Sequence, residues 1–234
     1  MNSIYTIRKA VRVGVALLAL VTTLFAGSSL FAQESTTEIG VPPPGQDALE
    51  LIGQIDQVAF GLKAYGYVTY VNGLPPEALF SEDTIAMMRS EEGARLTFYG
   101  EGMGTSRSVH QNIFSSVLTA EVTFYWNDVA PAASYDTPET FATGIPVATL
   151  TMRLHSILNV QEPNIGVFMT FGDAIQDSAE SFMVDGASYQ LGHSGLSERF
   201  TFFGQGFRSS TEPLLAQYLF TANAVVTSAM MPQP

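Results

Sequence analysis

Cysteine is absent from the 234 residues, and its absence removes several kinds of chemistry. The chain can form no disulfide framework, present no thiolate nucleophile and build no Cys-based zinc site. Basic residues are also scarce. Ten Lys and Arg stand against 22 Asp and Glu, for a formal net charge of −12. Three of those ten, Arg8, Lys9 and Arg12, lie near the N-terminus, where the first 32 residues hold no acid. The rest of the chain therefore carries seven basic side chains and all 22 acids. Phosphate binding needs a basic face, so nucleic acid is not an expected partner. Anionic lipid surfaces are disfavoured for the same reason. An acidic surface attracts cations and keeps a protein in solution.

Motifs are missing as well. There is no Gly-x-Ser-x-Gly elbow, phosphate loop, His-Glu-x-x-His pair or EF-hand loop. Gly100-x-Gly102 and Gly204-x-Gly206 do not continue into a dinucleotide fingerprint.

The N-terminus has the order of a Sec signal peptide. A positive start is followed by an uncharged apolar stretch over 13–27, then by small residues, with Ala32 before Gln33. We expect cleavage after Ala32, with Ser28 as the second choice, and export to the periplasm or the extracellular space. The competing reading is a retained anchor, since the uncharged run over 13–32 approaches the ~20 residues that span a bilayer. Gly27 and the serines that follow it shorten its apolar core. After cleavage no further stretch is long and apolar enough to insert stably as a helix. Residues 33–48 are polar and then proline-rich, through Pro42-Pro43-Pro44-Gly45, and read as a disordered, extended linker. Residues 49–228 read as a single β domain and 229–234 as a tail.

Within that domain, period-two alternation dominates. It predicts strands near 49–58, 62–72, 94–103, 117–127, 146–159, 165–173, 179–185, 198–207 and 216–227. The clearest has Leu118, Ala120, Val122, Phe124 and Trp126 on one face, and Thr119, Glu121, Thr123 and Tyr125 on the other. Residues 75–92 lack alternation and read as a short helical insert.

The chain also resembles itself. Arg95-Leu-Thr-Phe-Tyr-Gly-Glu-Gly102 matches Arg199-Phe-Thr-Phe-Phe-Gly-Gln-Gly206. Weaker flanking matches join Val71-Asn72-Gly73 to Val184-Asp185-Gly186, Phe60-Gly61 to Phe171-Gly172, and Leu118-Thr119-Ala120 to Phe220-Thr221-Ala222. Two related halves, about 49–130 and 165–228, that close one core predict an all-β, internally duplicated antiparallel fold, either a β-sandwich or a closed β-barrel. In the repeated motif Leu96, Phe98, Gly100 and Gly102 share a face. Inward glycines suit sharp coiling or a close backbone, and otherwise the floor of a ligand site.

Candidate chemistry is sparse. His110, His155 and His193 are far apart in sequence and converge on a metal only if the fold brings them together. Glu101 and Glu121 sit on the polar faces of consecutive strands. If the hairpin closes over 104–116 they are diagonal neighbours, about 7–8 Å apart. Such a pair would suit acid–base hydrolysis or Ca²⁺ binding, and Gln205 and Asn223 take its places in the second copy. Tyr99, Tyr125, Phe203 and Tyr67 are aromatics on nominally polar faces. They suit a binding surface for carbohydrate or a protein partner, unless the segment 75–92 covers them. The expected role is non-catalytic: binding, adhesion or a structural part of the envelope or extracellular matrix. The alternatives are a barrel carrier of a small apolar ligand lined by Phe98, Phe124 and Phe202, and a secreted hydrolase or isomerase using Glu101 and Glu121. A carrier demands an apolar cavity inside the sheet. An adhesive module demands a filled core.

Overall fold

A strand that buries one face alternates apolar with polar side chains, and that pattern runs from Asp47 almost to the end of the chain. The computed structural model describes residues 38–81, 85–212 and 214–228. The expected signal peptide, the start of the linker and the tail lie outside them. The strands are β1 (Glu38–Ile39), β2 (Asp47–Val58), β3 (Gly61–Val71), β4 (Leu96–His110), β5 (Ile113–Trp126), β6 (Ile145–Glu162), β7 (Ile165–Ala179), β8 (Ser181–Val184), β9 (Ala187–Gln190), β10 (Ser197–Arg208) and β11 (Leu215–Ser228). Eight of them close into one antiparallel barrel in the order β10-β11-β2-β3-β4-β5-β6-β7, with β7 returning to β10. Closure removes every edge from the main sheet. Of the two expected architectures, the fold is the barrel.

Because neighbouring strands alternate in direction, the connections segregate by end. The tight turns β2–β3, β4–β5 and β6–β7, and the 209–214 loop between β10 and β11, all lie at one end. The long connections 72–95, 127–144 and 180–196 lie at the other. The first of these holds three short 3-10 turns, as the helical insert predicted, and the third holds β8 and β9. Parallel pairing of β1 with β9 completes a small three-stranded sheet.

These long connections plug their end. Trp126 packs against Phe182 with ring centroids 4.9 Å apart. The Arg95 guanidinium lies 4.5 Å over the Trp126 ring and donates to the carbonyls of Ala78 and Asn127. Tyr189 donates its hydroxyl to Asn72 O at 2.6 Å, tying the third connection to the first.

Three sequence expectations are corrected. The segment 104–116 is not a loop: β4 and β5 run to a two-residue turn at Gln111 and Asn112, with a bulge between Gly104 and Ser106. The run expected as one strand over 179–185 is divided, since β7 continues to Ala179 and β8 belongs to the small sheet. The expected linker is attached from Glu38 onward, through β1 and through Gly45 N–H donating to Val226 O.

The repeated motif falls on β4 and β10, four strands apart around an eight-stranded barrel and so on opposite walls. Phe98 and Phe202 both point inward, and both meet Phe220, at 6.3 and 5.4 Å. The two arginines differ. Arg95 is locked under the plug, whereas Arg199 is exposed and pairs with Asp173. Register also revises the flanking match: Gly100 faces Val122, and Gly204 faces Phe220. Val122 rather than Leu118 is therefore the counterpart of Phe220.

Inward glycines are a packing requirement. Gly53 and Gly66 are cross-strand partners, and the Phe98 ring tip lies 2.8 Å from where a Cβ on either would sit. A Cβ at Gly100 or Gly102 would meet the carbonyl of Glu121 or Thr119 at 2.6 and 2.7 Å. The glycines let a strongly coiled wall close around large aromatic rings.

Candidate site: the barrel interior and its open mouth

Side chains at alternate positions of all eight strands converge on the barrel axis. At the plugged end they fill it. Toward the end with the tight turns they leave a cavity of about 100 Å³. Its walls are mostly aliphatic and aromatic, including Phe98, Phe124, Leu150, Leu154, Phe202 and Phe220. Polar groups on the wall are few. Two of them satisfy each other, Thr170 donating to Ser156 Oγ at 2.7 Å. The three phenylalanines expected to line a carrier, Phe98, Phe124 and Phe202, all face this space.

The cavity is open. Gln57, Arg107, Phe114, Leu158 and Tyr218 line both it and a wider space of about 510 Å³ at the mouth. Val58, Ile165, Phe207 and Leu214 add apolar surface to the rim. Small-molecule sites are apolar concavities of roughly 300–1,000 Å³ with few polar groups, and the two connected spaces fall in that range.

Polar chemistry at the mouth comes from two arginines. Arg107 lies in the part of β4 beyond the bulge, with its guanidinium 6.0 Å from the Phe114 ring. Arg208 ends β10. Tyr218 lines the same mouth, packs edge-on to Phe168 and donates its hydroxyl to Gln57 Oε1 at 3.0 Å. Burial raises the Tyr218 pKa, and the positive charges of Arg107 and Arg208 oppose that shift. Both guanidinium groups thus act on one spot at the mouth. Glu212 is the acid on the same rim, and its carboxylate accepts from Leu214 N–H.

One further acid faces the interior. Glu198, on β10 near the plugged end, is only 3% exposed. No hydrogen bond or ion pair reaches its carboxylate among the described residues, and burial raises its pKa to about 7. It borders a void of about 10 Å³ with Gln176 and Leu196, room for one water. Neither Arg107, Arg208 nor Glu198 stood out in the sequence.

The residues that did stand out lie on the outer wall. Glu101 and Glu121 are brought together, but as direct cross-strand partners rather than diagonal ones, because the hairpin closes at 111–112. Both side chains are exposed on the outer wall. By register, Leu219 rather than Asn223 answers to Glu121 in the second half, since Gln205 faces Leu219. Tyr67 is buried edge-on against Phe80. Tyr99 borders a small outer cluster of Tyr65, Ala133 and Phe141. Tyr125 is half-buried, facing Thr97 and Pro146. Phe203 is 56% exposed on β10, across the barrel from the other three. Connections 72–95 and 127–144 therefore cover much of the β3–β4 wall, and the four aromatics form no single surface.

The histidines stay apart. His155 bonds Ser115 Oγ at 2.8 Å on the outer wall, His193 bonds Ser194 O in the 191–196 loop, and His110 ends β4. Among the described residues no group of three His, Asp or Glu is placed to hold a metal. Comparison with protein-family models, curated proteins and solved structures finds no match to this chain.

Proposed function

We propose that this protein is an exported, non-catalytic binding protein whose barrel takes a small, largely apolar ligand through its open end. The observation that carries this reading is the apolar cavity that opens through a wider mouth at one end, while the other end is plugged. A purely structural or adhesive module needs no such space. The outer wall supports a barrel that works in water. Lys63, Glu101 and Glu121 are neighbours across β3, β4 and β5, and Arg153, Asp173 and Arg199 are neighbours across β6, β7 and β10. All six are outward, and Glu101, Glu121, Arg153 and Asp173 sit mid-strand, where a membrane barrel carries its apolar band and a charge is costly. The acidic composition suits the same role.

A neutral apolar fluorophore, N-phenyl-1-naphthylamine, tests the reading. It should bind the purified protein with a blue-shifted, enhanced emission. Leu118→Trp puts an indole into the cavity from a half-buried wall position. It should abolish that signal while leaving the melting temperature within a few degrees. A native protein that never enhances the probe would overturn the carrier role and leave adhesion or structure.

A further inference from the structure

Charge at the mouth goes beyond what an apolar ligand needs. Of the seven basic residues outside the N-terminal segment, Arg89, Arg95 and Arg199 are paired with Glu77, Asp185 and Asp173. Lys63 lies against Tyr99 and Glu101, and Arg153 faces Asp173 across the β6–β7 ladder. Arg107 and Arg208 remain. Neither makes an ion pair among the described residues, although 22 acids stand against seven bases outside the N-terminal segment. Both line the apolar mouth, within electrostatic reach of Tyr218, where the cavity meets water. Two unpaired guanidinium groups at the lip of an apolar hole form a recognition pattern for a ligand that is apolar along its length and negative at one end. Guanidinium binds carboxylate or phosphate oxygens through paired, charge-assisted hydrogen bonds.

We propose that the ligand is an anionic amphiphile, its aliphatic chain in the barrel and its single anionic head held between Arg107 and Arg208. This rests on the carrier reading above and adds the chemistry of the head. Glu212, on the same rim, disfavours heads of high negative charge. The plug at the far end requires the chain to enter first.

Displacement of bound N-phenyl-1-naphthylamine by four competitors sharing one alkyl chain provides the test: dodecanoate, dodecyl phosphate, dodecanol and dodecyltrimethylammonium. Native protein should prefer the two anions to the alcohol by about tenfold or more, the ratio expected from ~1.4 kcal/mol or more of charge-assisted bonding. The cation should compete least. Whichever anion binds tighter identifies the head as carboxylate or phosphate. In Arg107→Gln/Arg208→Gln the anions should fall to the level of dodecanol measured on the same variant. Arg107→Lys/Arg208→Lys should restore part of the preference. Equal affinity of native protein for dodecanol and the anions would overturn the proposal, as would an anion preference that survives the double glutamine variant. Either failure, with the fluorophore still bound, leaves the carrier reading standing. Loss of the fluorophore from native protein removes both.

Discussion

Glu198 shows how one side chain sets a pH dependence for the whole fold. Its carboxyl is buried among apolar groups with no charge to offset the lost hydration, so its pKa rises from the ordinary 4.5 to about 7. In the unfolded chain it ionises near its ordinary value. Below that value both states are protonated, and the folded state carries no penalty. Between about 4.5 and 7 the unfolded state ionises first, and stability falls. Above 7 the loss levels off, at about 3 kcal/mol. Urea unfolding at pH 5 and pH 8 should show this fall in native protein, and Glu198→Gln should remove most of the difference. An unchanged pH dependence in the variant would assign the effect to other acids. Burial of this kind was invisible beforehand. A glutamate preceding Arg199 reads as one more charge on an acidic surface, and only its place on the inward face of β10 makes it exceptional.

At the scale of elements, the β4–β5 hairpin and the 127–144 connection carry the consequences. Residues 104–110 are polar and broken by glycine, so period-two reasoning ends the strand too early. Pairing with β5 continues it to His110. That difference of one hairpin moves Glu101 opposite Glu121 and places Arg107 at the mouth. Like charges directly opposite one another destabilise a sheet slightly. Glu121→Gln is therefore expected to raise the melting temperature a little, with no change in fluorophore binding. Carboxylate chemistry at this pair would instead show as a lost activity. The 127–144 connection acts through Phe141, which is fully buried against Tyr65 and Tyr135 at 5.5 and 5.1 Å, and whose carbonyl accepts from Thr97 Oγ1. Phe141→Ala should cost about 3–5 kcal/mol in urea unfolding, as for other buried aromatic truncations. Because this cluster lies outside the barrel, the surviving folded protein should still bind the fluorophore with native affinity.

At the scale of the molecule, the two ends of the barrel are made differently. Four strands and one long connection occur twice in succession, β2 to β5 and then β6 to β11, and the matched motif lies on opposite walls. Neither four-stranded half alone could cover its apolar face. Long connections then gather at one end because antiparallel order sends every second turn there. They furnish the plug, and the short turns leave the other end open.

Composition and alternation sufficed for the all-β class, the near-complete set of strands and the inward side of Phe98, Phe124 and Phe202. Those properties follow from local rules, since a period of two and a run of turn residues act over a few neighbours. Barrel rather than sandwich, the exact facing of Glu101 and Glu121, the burial of Glu198, the cover over Tyr67 and the placing of Arg107 and Arg208 on one lip were decided by tertiary structure alone. Each depends on which strands become neighbours and how the register shears around a closed sheet. Residues 101 positions apart in the chain then line one opening, and nothing in their own surroundings along the sequence announces it.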